Sequence, residues 1–147
     1  FEKINFLVEC GASPSEIANK LLRRDSLAKY RIIPKVLNSL ELFKEGEVAS
    51  IFAKEEWFKE TGAHNRDCED ALDMIMSIAI VKIAFFVRVV NGVSRVSLRS
   101  KGKIDVAKIA GEFDGGGHYN AAGCTLDMID VEKAKEIVLK EIFEVYK

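Results

Sequence analysis

The chain is poor in the residues that staple or interrupt a fold. It has 3 cysteines in 147 residues, Cys10, Cys68 and Cys124, far apart and odd in number. No Cys-x-x-Cys pair occurs, so neither a zinc knuckle nor a disulfide scaffold fits, and a reducing, cytoplasmic compartment is expected. With 2 prolines, no low-complexity segment and no internal repeat, the sequence holds no extended linker or solenoid. It has no excess charge either. Its 22 basic and 23 acidic side chains give a net charge of −1, which excludes a polycation that coats nucleic acid but leaves room for a local basic face. The longest apolar stretch, Ile78 to Val87, is broken by Lys82 and is too short to span a membrane. No secretory signal opens the chain. It starts at Phe1, within an apolar segment, so a piece of a longer protein is expected.

What is present is enough apolar material for a core, 48% of residues, in a length close to the ordinary ~150-residue domain. The first forty residues read as helices. Ile4, Leu7 and Val8 belong to one that ends at Gly11. Ser13-Pro14-Ser15-Glu16 starts the next with a cap, a proline at the first helical position and a capping-box glutamate. Ile17, Ala18, Leu21 and Leu22 are its expected buried stripe. A third starts near Ser26 and aligns Leu27, Tyr30, Ile33, Leu37 and Leu40, with Pro34 expected to kink or restart it. Glu45-Gly46 then breaks the pattern, and a domain boundary is expected between residues 43 and 44.

Beyond it the pattern alternates. Val48–Ala53 reads as a strand and 54–61 as a short helix ending at Gly62. Residues 63–66 read as a polar loop in which His64 is plain surface, and Asp67 as the cap of a helix carrying Ala71, Leu72, Ile75 and Met76. Ile78–Val90 reads as one long strand. Asn91-Gly92 predicts a type I′ hairpin, because both central positions need positive φ. Val93–Ser100 is its second arm. A helix over 105–113, a strand over Ala121–Leu126 and a final helix from Asp130, burying Ala134, Ile137, Val138, Ile142 and Val145, follow. The expected fold is α/β: a mixed sheet of about five strands flanked by helices, preceded by a helical segment.

The hairpin sorts its charges. With a two-residue turn, Arg88 faces Arg95, Phe86 faces Ser97, Ala84 faces Arg99 and Lys82 faces Lys101, all on one side. The other side carries Ile83, Phe85, Val87, Val89, Val96 and Leu98 as core. A cationic stripe enclosing an aromatic ring suits a single-stranded nucleic acid or a polyphosphate; an ordinary solvated sheet face is the alternative.

Asp114-Gly-Gly-Gly-His118-Tyr-Asn-Ala-Ala-Gly123 is the most informative segment. Three glycines can aim backbone N–H groups at one anion, and His118 can donate to it. A flexible turn with a surface histidine is the alternative. The segment follows a helix and lacks Gly-Lys-Ser/Thr, so it is not a P-loop. Tyr119 can stack on a base or simply pack, and Cys124 reads as a small core residue.

Gly-Gly-Gly-His-x-x-Ala-Ala-Gly at 115–123, preceded by Ser97-Leu98-Arg99-Ser100-Lys101-Gly102, resembles the DHH-associated domain of DHH-family phosphoesterases. Thr61-Gly62-Ala63 and Asp67-Cys68-Glu69 extend the likeness. It is nearest the oligoribonuclease and 3′-phosphoadenosine 5′-phosphate phosphatase group, the exopolyphosphatase-related type. The resemblance implies that residues 1–43 are the helical end of the DHH domain and its connector, and 44–147 the substrate-binding domain. It implies that Gly115, Gly116, Gly117, His118 and Arg99, with Ser97 and Ser100, hold phosphate and nucleotide. It also implies two manganese ions held by the DHH domain, with short single-stranded RNA or DNA or nucleoside phosphates as ligands.

Two departures stand out. Many relatives have a fourth glycine where this chain has Asp114, and no Asp-His-His motif occurs. The chain is therefore expected to bind without hydrolysing, with no catalytic residue and no metal ligand of its own. A non-catalytic single-stranded nucleic-acid-binding module is the alternative, and a homodimer formed through the stripes of 1–42 is a third reading.

Overall fold

The computed structural model describes residues 2–22 and 25–147; Phe1, Arg23, Arg24 and the side chain of Leu22 lie outside the described residues. Helices α1 (Glu2–Glu9), α2 (Pro14–Leu22) and α3 (Leu27–Asn38) come first. Strands β1 (Glu41–Phe43) and β2 (Val48–Ala53) follow, joined by a tight turn over Lys44–Gly46. Then come α4 (Glu55–Thr61), a single 3₁₀ turn (Asn65–Cys68), α5 (Asp70–Met76), β3 (Ile83–Val90) and β4 (Val93–Ser100). The chain closes with α6 (Val106–Gly111), β5 (Gly116–His118), β6 (Ala121–Leu126) and α7 (Val131–Val145).

The strands form one sheet in the order β1-β2-β3-β4-β6-β5. Among the described residues only β2 and β3 run parallel, connected through α4 and α5, and the other pairs are antiparallel. The mixed α/β architecture is as expected, with six strands rather than about five. Strand β1 lies upstream of the boundary expected after residue 43. Strand β5 occupies the glycine run, where the sequence predicts an anion nest or a flexible turn.

The hairpin follows the predicted register: Val90 pairs with Val93, Arg88 with Arg95, Phe86 with Ser97 and Ala84 with Arg99. Asn91 and Gly92 take φ of 53° and 79°, the signature of a type I′ turn. The long strand expected from Ile78 starts only at Ile83, because residues 78–81 form turns that return N–H groups to Ile75 and Ile78. Lys82 therefore lies before the strand and pairs with Glu47. Lys101 Nζ donates to the Ile78 carbonyl at 2.9 Å.

Each sheet face has its own core. On one, Ile83, Phe85, Val87, Val96 and Leu98 pack against Val106 and Ile109 of α6 and Ala134, Val138 and Ile142 of α7. On the other, Ala49, Ile51, Ala84 and Phe86 pack against Ile32 and Val36 of α3 and Ala71, Leu72 and Ile75 of α5. The second core corrects the expected cationic face: Phe86 is a core residue there, 1% exposed. Helices α3, α4 and α5 cover the β2–β3 half of this face, and the β4–β6–β5 half stays open. A single row across the open half pairs Arg99 with Ala121 and Ala121 with His118.

Several expected burials shift. Helix α3 starts at Ser26, whose hydroxyl accepts from the Lys29 N–H at 3.1 Å. It runs through Pro34 without a break, and turns Ile32 and Val36 inward while Leu27 and Tyr30 stay exposed. Ile17 and Leu21 of α2 are exposed too; with Ile4 and Leu7 they line a groove between α1 and α2 that joins neither core. Asp67 does not cap α5. Its carboxylate accepts from the His64 N–H at 2.7 Å and from the Ser26 hydroxyl at 3.1 Å. In α7, Val145 is 40% exposed and Lys135 is buried instead, paired with Glu41 of β1 at 2.7 Å.

Candidate functional site

The open half-face is floored by small residues. A first row sets Ser97 beside Gly123 and Gly123 beside Gly116; the next sets Arg99 beside Ala121 and Ala121 beside His118. Residues opposite one another on antiparallel strands share a face, so Ser97, Arg99, Gly116, His118, Ala121 and Gly123 form one shelf. With no side chain larger than a methyl on β6 at these rows, the shelf stays shallow and a ligand can lie against backbone. Helix α5 walls it on the β3 side, where Glu69, Asp70, Asp73, Phe86, Arg88, Ser97 and Arg99 line a cavity of about 410 Å³.

The glycines act differently from the expected anion nest. Gly116–His118 is an edge strand paired to β6, not a loop that gathers its N–H groups. A Cβ at Gly115 would lie 2.4 Å from the Gly123 carbonyl and 2.5 Å from Cys124 Cβ. One at Gly117, where φ is +148°, would lie 2.6 Å from the Ala121 carbonyl. These two glycines let β5 close onto β6. Gly116 has open space where its Cβ would be; it alone of the three leaves room on the shelf. Asp114 takes φ +54°, a left-handed conformation that glycine and aspartate tolerate best, which is why an aspartate can stand at a glycine position.

Ser100 is not on the shelf. Strand alternation turns it to the other face, where its hydroxyl donates to the Ile104 carbonyl at 2.6 Å and accepts from Asn120 Nδ2 at 2.8 Å. Asn120 also donates to the Gly102 carbonyl at 3.1 Å. This knot fixes the turn after His118 against the end of β4. Of the sequence candidates, Arg99, Ser97, Gly116 and His118 come together on the shelf, while Gly115, Gly117 and Ser100 shape it from behind.

The charges are uneven. Arg99 Nε lies 3.9 Å from Asp73 Oδ1, with both side chains well exposed, a weak and exchangeable pair. His118 and Arg95 are exposed. Arg88 is 9% exposed; its Nη2 donates to Ser97 Oγ at 2.7 Å and its guanidinium lies 5.1 Å over the Phe86 ring. Burial pushes the Arg88 pKa below its usual range, while Cys68 and Glu69 act against that shift. The expected cationic stripe thus reduces to Arg88, Arg95 and Arg99. Arg88 enters the sequence reading through that stripe and not among the residues that the resemblance assigns to phosphate.

Known proteins resemble this chain in sequence and fold. The model of the DHHA1 domain matches residues 35–146. The bifunctional oligoribonuclease and PAP phosphatase NrnA of Thermus thermophilus is 28% identical over 138 residues, covering 94% of this chain and 41% of that protein. An exopolyphosphatase-related protein from Bacteroides fragilis superposes with a TM-score of 0.83 at 27% identity, covering 96% of this chain and 42% of that one. RecJ of Thermus thermophilus, solved with Mg²⁺, shares the fold at a TM-score of 0.57 and 19% identity, with 86% of this chain and 19% of that one covered. The chain thus spans about two-fifths of the length of the first two.

Proposed function

Because this chain belongs to the DHHA1 domain family, we propose that it is the substrate-recognition part of a phosphoesterase acting on short oligonucleotides or nucleoside phosphates. The observation that carries this reading is the alignment of Arg99 with His118, and of Ser97 with Gly116, on one open half-face. Arg99 offers a planar fork for a phosphate group. His118 donates a further hydrogen bond, and the Gly116–Gly123 row lets the ligand approach the backbone.

Hydrolysis belongs to the preceding DHH domain in this reading, with two manganese ions there to activate water and neutralise charge. Among the described residues, no three His, Cys, Asp or Glu side chains are grouped to hold a metal. The part played by this chain is to bind and orient; alone it is inactive. We read α1 and α2, which join neither core, as the connection to that domain, and the cytoplasm as the compartment. No helix among the described residues is long and apolar enough to cross a membrane.

A module for long single strands is the weaker reading, because a continuous polyanion would have to pass the carboxylates of Asp70 and Asp73 on α5. Titration of ¹⁵N-labelled protein with a nucleoside 3′,5′-bisphosphate and with a short RNA tests the proposal. Amide shifts gathered at residues 97–99 and 116–118 are expected. Shifts scattered elsewhere, or none at millimolar ligand, would count against it.

A further inference from the structure

Arg99 faces an anion that belongs to the protein itself. Its Nη1 donates to the Leu98 carbonyl at 3.1 Å, so the Nε side of the guanidinium is the fork left for a ligand. Asp73 Oδ1 lies on that side, 3.9 Å from Nε. The separation is too long for a hydrogen bond and short enough for attraction between opposite charges. Both side chains are exposed, so water and other ions reach the pair and it can open.

The cavity that the two residues share carries three carboxylates, Glu69, Asp70 and Asp73, against two guanidiniums, Arg88 and Arg99. Two of the three carboxylates are engaged elsewhere. Asp70 pairs with Lys29 of α3, and Asp67 just upstream accepts from the Ser26 hydroxyl, so the start of α5 is pinned to α3 from behind. Glu69 acts on Arg88 and works against the effect of burial on that guanidinium. Arg88 has little freedom to answer a ligand, because it is tied to Ser97 and lies over the Phe86 ring. Among the described residues of this cavity, Asp73 is the carboxylate set against an exposed, movable cation.

Resting on the reading that the shelf takes a phosphate-bearing ligand, we propose that Asp73 is a built-in competitor of that ligand. In the empty protein the Asp73 carboxylate holds the fork of Arg99. A phosphate has to displace it, and once seated it lies beside the charge it displaced. Asp73 therefore opposes Arg99 at the same site and sets the affinity of the shelf below what the arginine alone would give.

The test compares the unaltered chain of residues 1–147 with D73N, with D73E, which keeps the charge, and with E136Q. Glu136 is an exposed residue of α7, the helix packed on the other face of the sheet. Calorimetry at low salt with a nucleoside 3′,5′-bisphosphate should show D73N binding about three- to tenfold tighter, as expected when a weak competing pair and one repulsive charge are removed. D73E and E136Q should bind as the unaltered chain does, and added salt should shrink the gain in D73N. Without ligand, the ¹H–¹⁵Nε resonance of Arg99 should move in D73N and stay put in E136Q. Equal or weaker binding by D73N, or the same gain in D73E or E136Q, overturns the competition and leaves the shelf reading standing. An unmoved Arg99 resonance in D73N overturns it too, whatever the ligand does. Binding by none of the four proteins overturns the shelf reading, and the competition falls with it.

Discussion

Arg99 and His118 stand on the same row of the sheet, separated by Ala121 alone, although 18 residues and a helix lie between them in the chain. The row brings the two sequence motifs into one place, and it frames how the site responds to substitution.

The double variant Arg99→Ala, His118→Ala removes a cation and a donor from side chains that belong to neither hydrophobic core. Each charge-assisted hydrogen bond to phosphate is worth about 1.5–3 kcal/mol. Affinity for a nucleoside bisphosphate should therefore fall at least a hundredfold while the urea midpoint stays where it was. Retained affinity would remove both residues from the site.

Gly115→Ala and Gly116→Ala should part company. At Gly115 the new methyl meets backbone and Cys124 at distances no real Cβ shows, at Gly116 it meets nothing. The first should cost about 1–3 kcal/mol of unfolding free energy, the usual penalty of overpacking. The second should leave stability within about 0.5 kcal/mol and weaken ligand binding by narrowing the shelf. Equal stabilities in urea titration would contradict the close approach of β5 to β6.

Ser97→Ala and Ser100→Ala offer the same chemical change with different effects on affinity. Ser100 is buried in the knot with Ile104 and Asn120, so its loss should lower stability by about 1–2 kcal/mol and affect affinity little. Ser97→Ala removes the hydroxyl that accepts from the buried Arg88 guanidinium, so it should lower stability by about 1–3 kcal/mol and, unlike Ser100→Ala, lower affinity as well. Calorimetric binding and thermal melts on both variants decide the matter.

The thiols should divide into one fast and two slow. Cys10 is exposed, while Cys68 and Cys124 are buried. Burial pushes both buried thiols up to about 11, so neither is ionised at neutral pH. Because those folded values lie above the unfolded one, the stabilising difference is present in full below pH 9. It is lost as pH rises from about 9 toward 11. A thiol reagent at pH 8 should modify one cysteine quickly and the others only on unfolding, and Cys68→Ser should blunt the alkaline loss of stability.

At the acid end, the Glu47 carboxyl is held below its ordinary value by hydrogen bonds from Lys82 and Tyr146. Its contribution is therefore present above the unfolded pKa and disappears as pH falls through the folded one. Glu47→Gln should flatten the acid limb of the stability profile, as followed by circular dichroism.

The sheet's centre was readable because its signals are local. Asn91-Gly92 fixes the turn, the turn fixes the register, and register alone places Arg99 and Ser97 on one side. What escaped depends on contacts distant in sequence. Strands β1 and β5 have three residues each, too few to show a period, and glycine has little strand preference. Phe86 looked like an aromatic on an open face because nothing near it announces that α3, some fifty residues upstream, packs over it. Helix α3 itself offers two apolar stripes, one through Leu27 and Tyr30 and one through Ile32 and Val36; the shape of the sheet selects the second. Arg88 belongs to the same class, since its burial follows from the placing of α5 over β3.

Among the described residues strand β5 has one neighbour and no partner on its outer side, and two of its three residues are glycines. A segment so short, so exposed and so sparsely bonded opens far below the free energy of global unfolding. The amides of Gly116 and Gly117 should thus exchange with solvent much faster than those of β3. A ligand that bridges Arg99 on β4 to His118 on β5 would clamp this border across β6. Slowed exchange at the sheet's edge would then report occupancy of the shelf without any movement of the two cores beneath it.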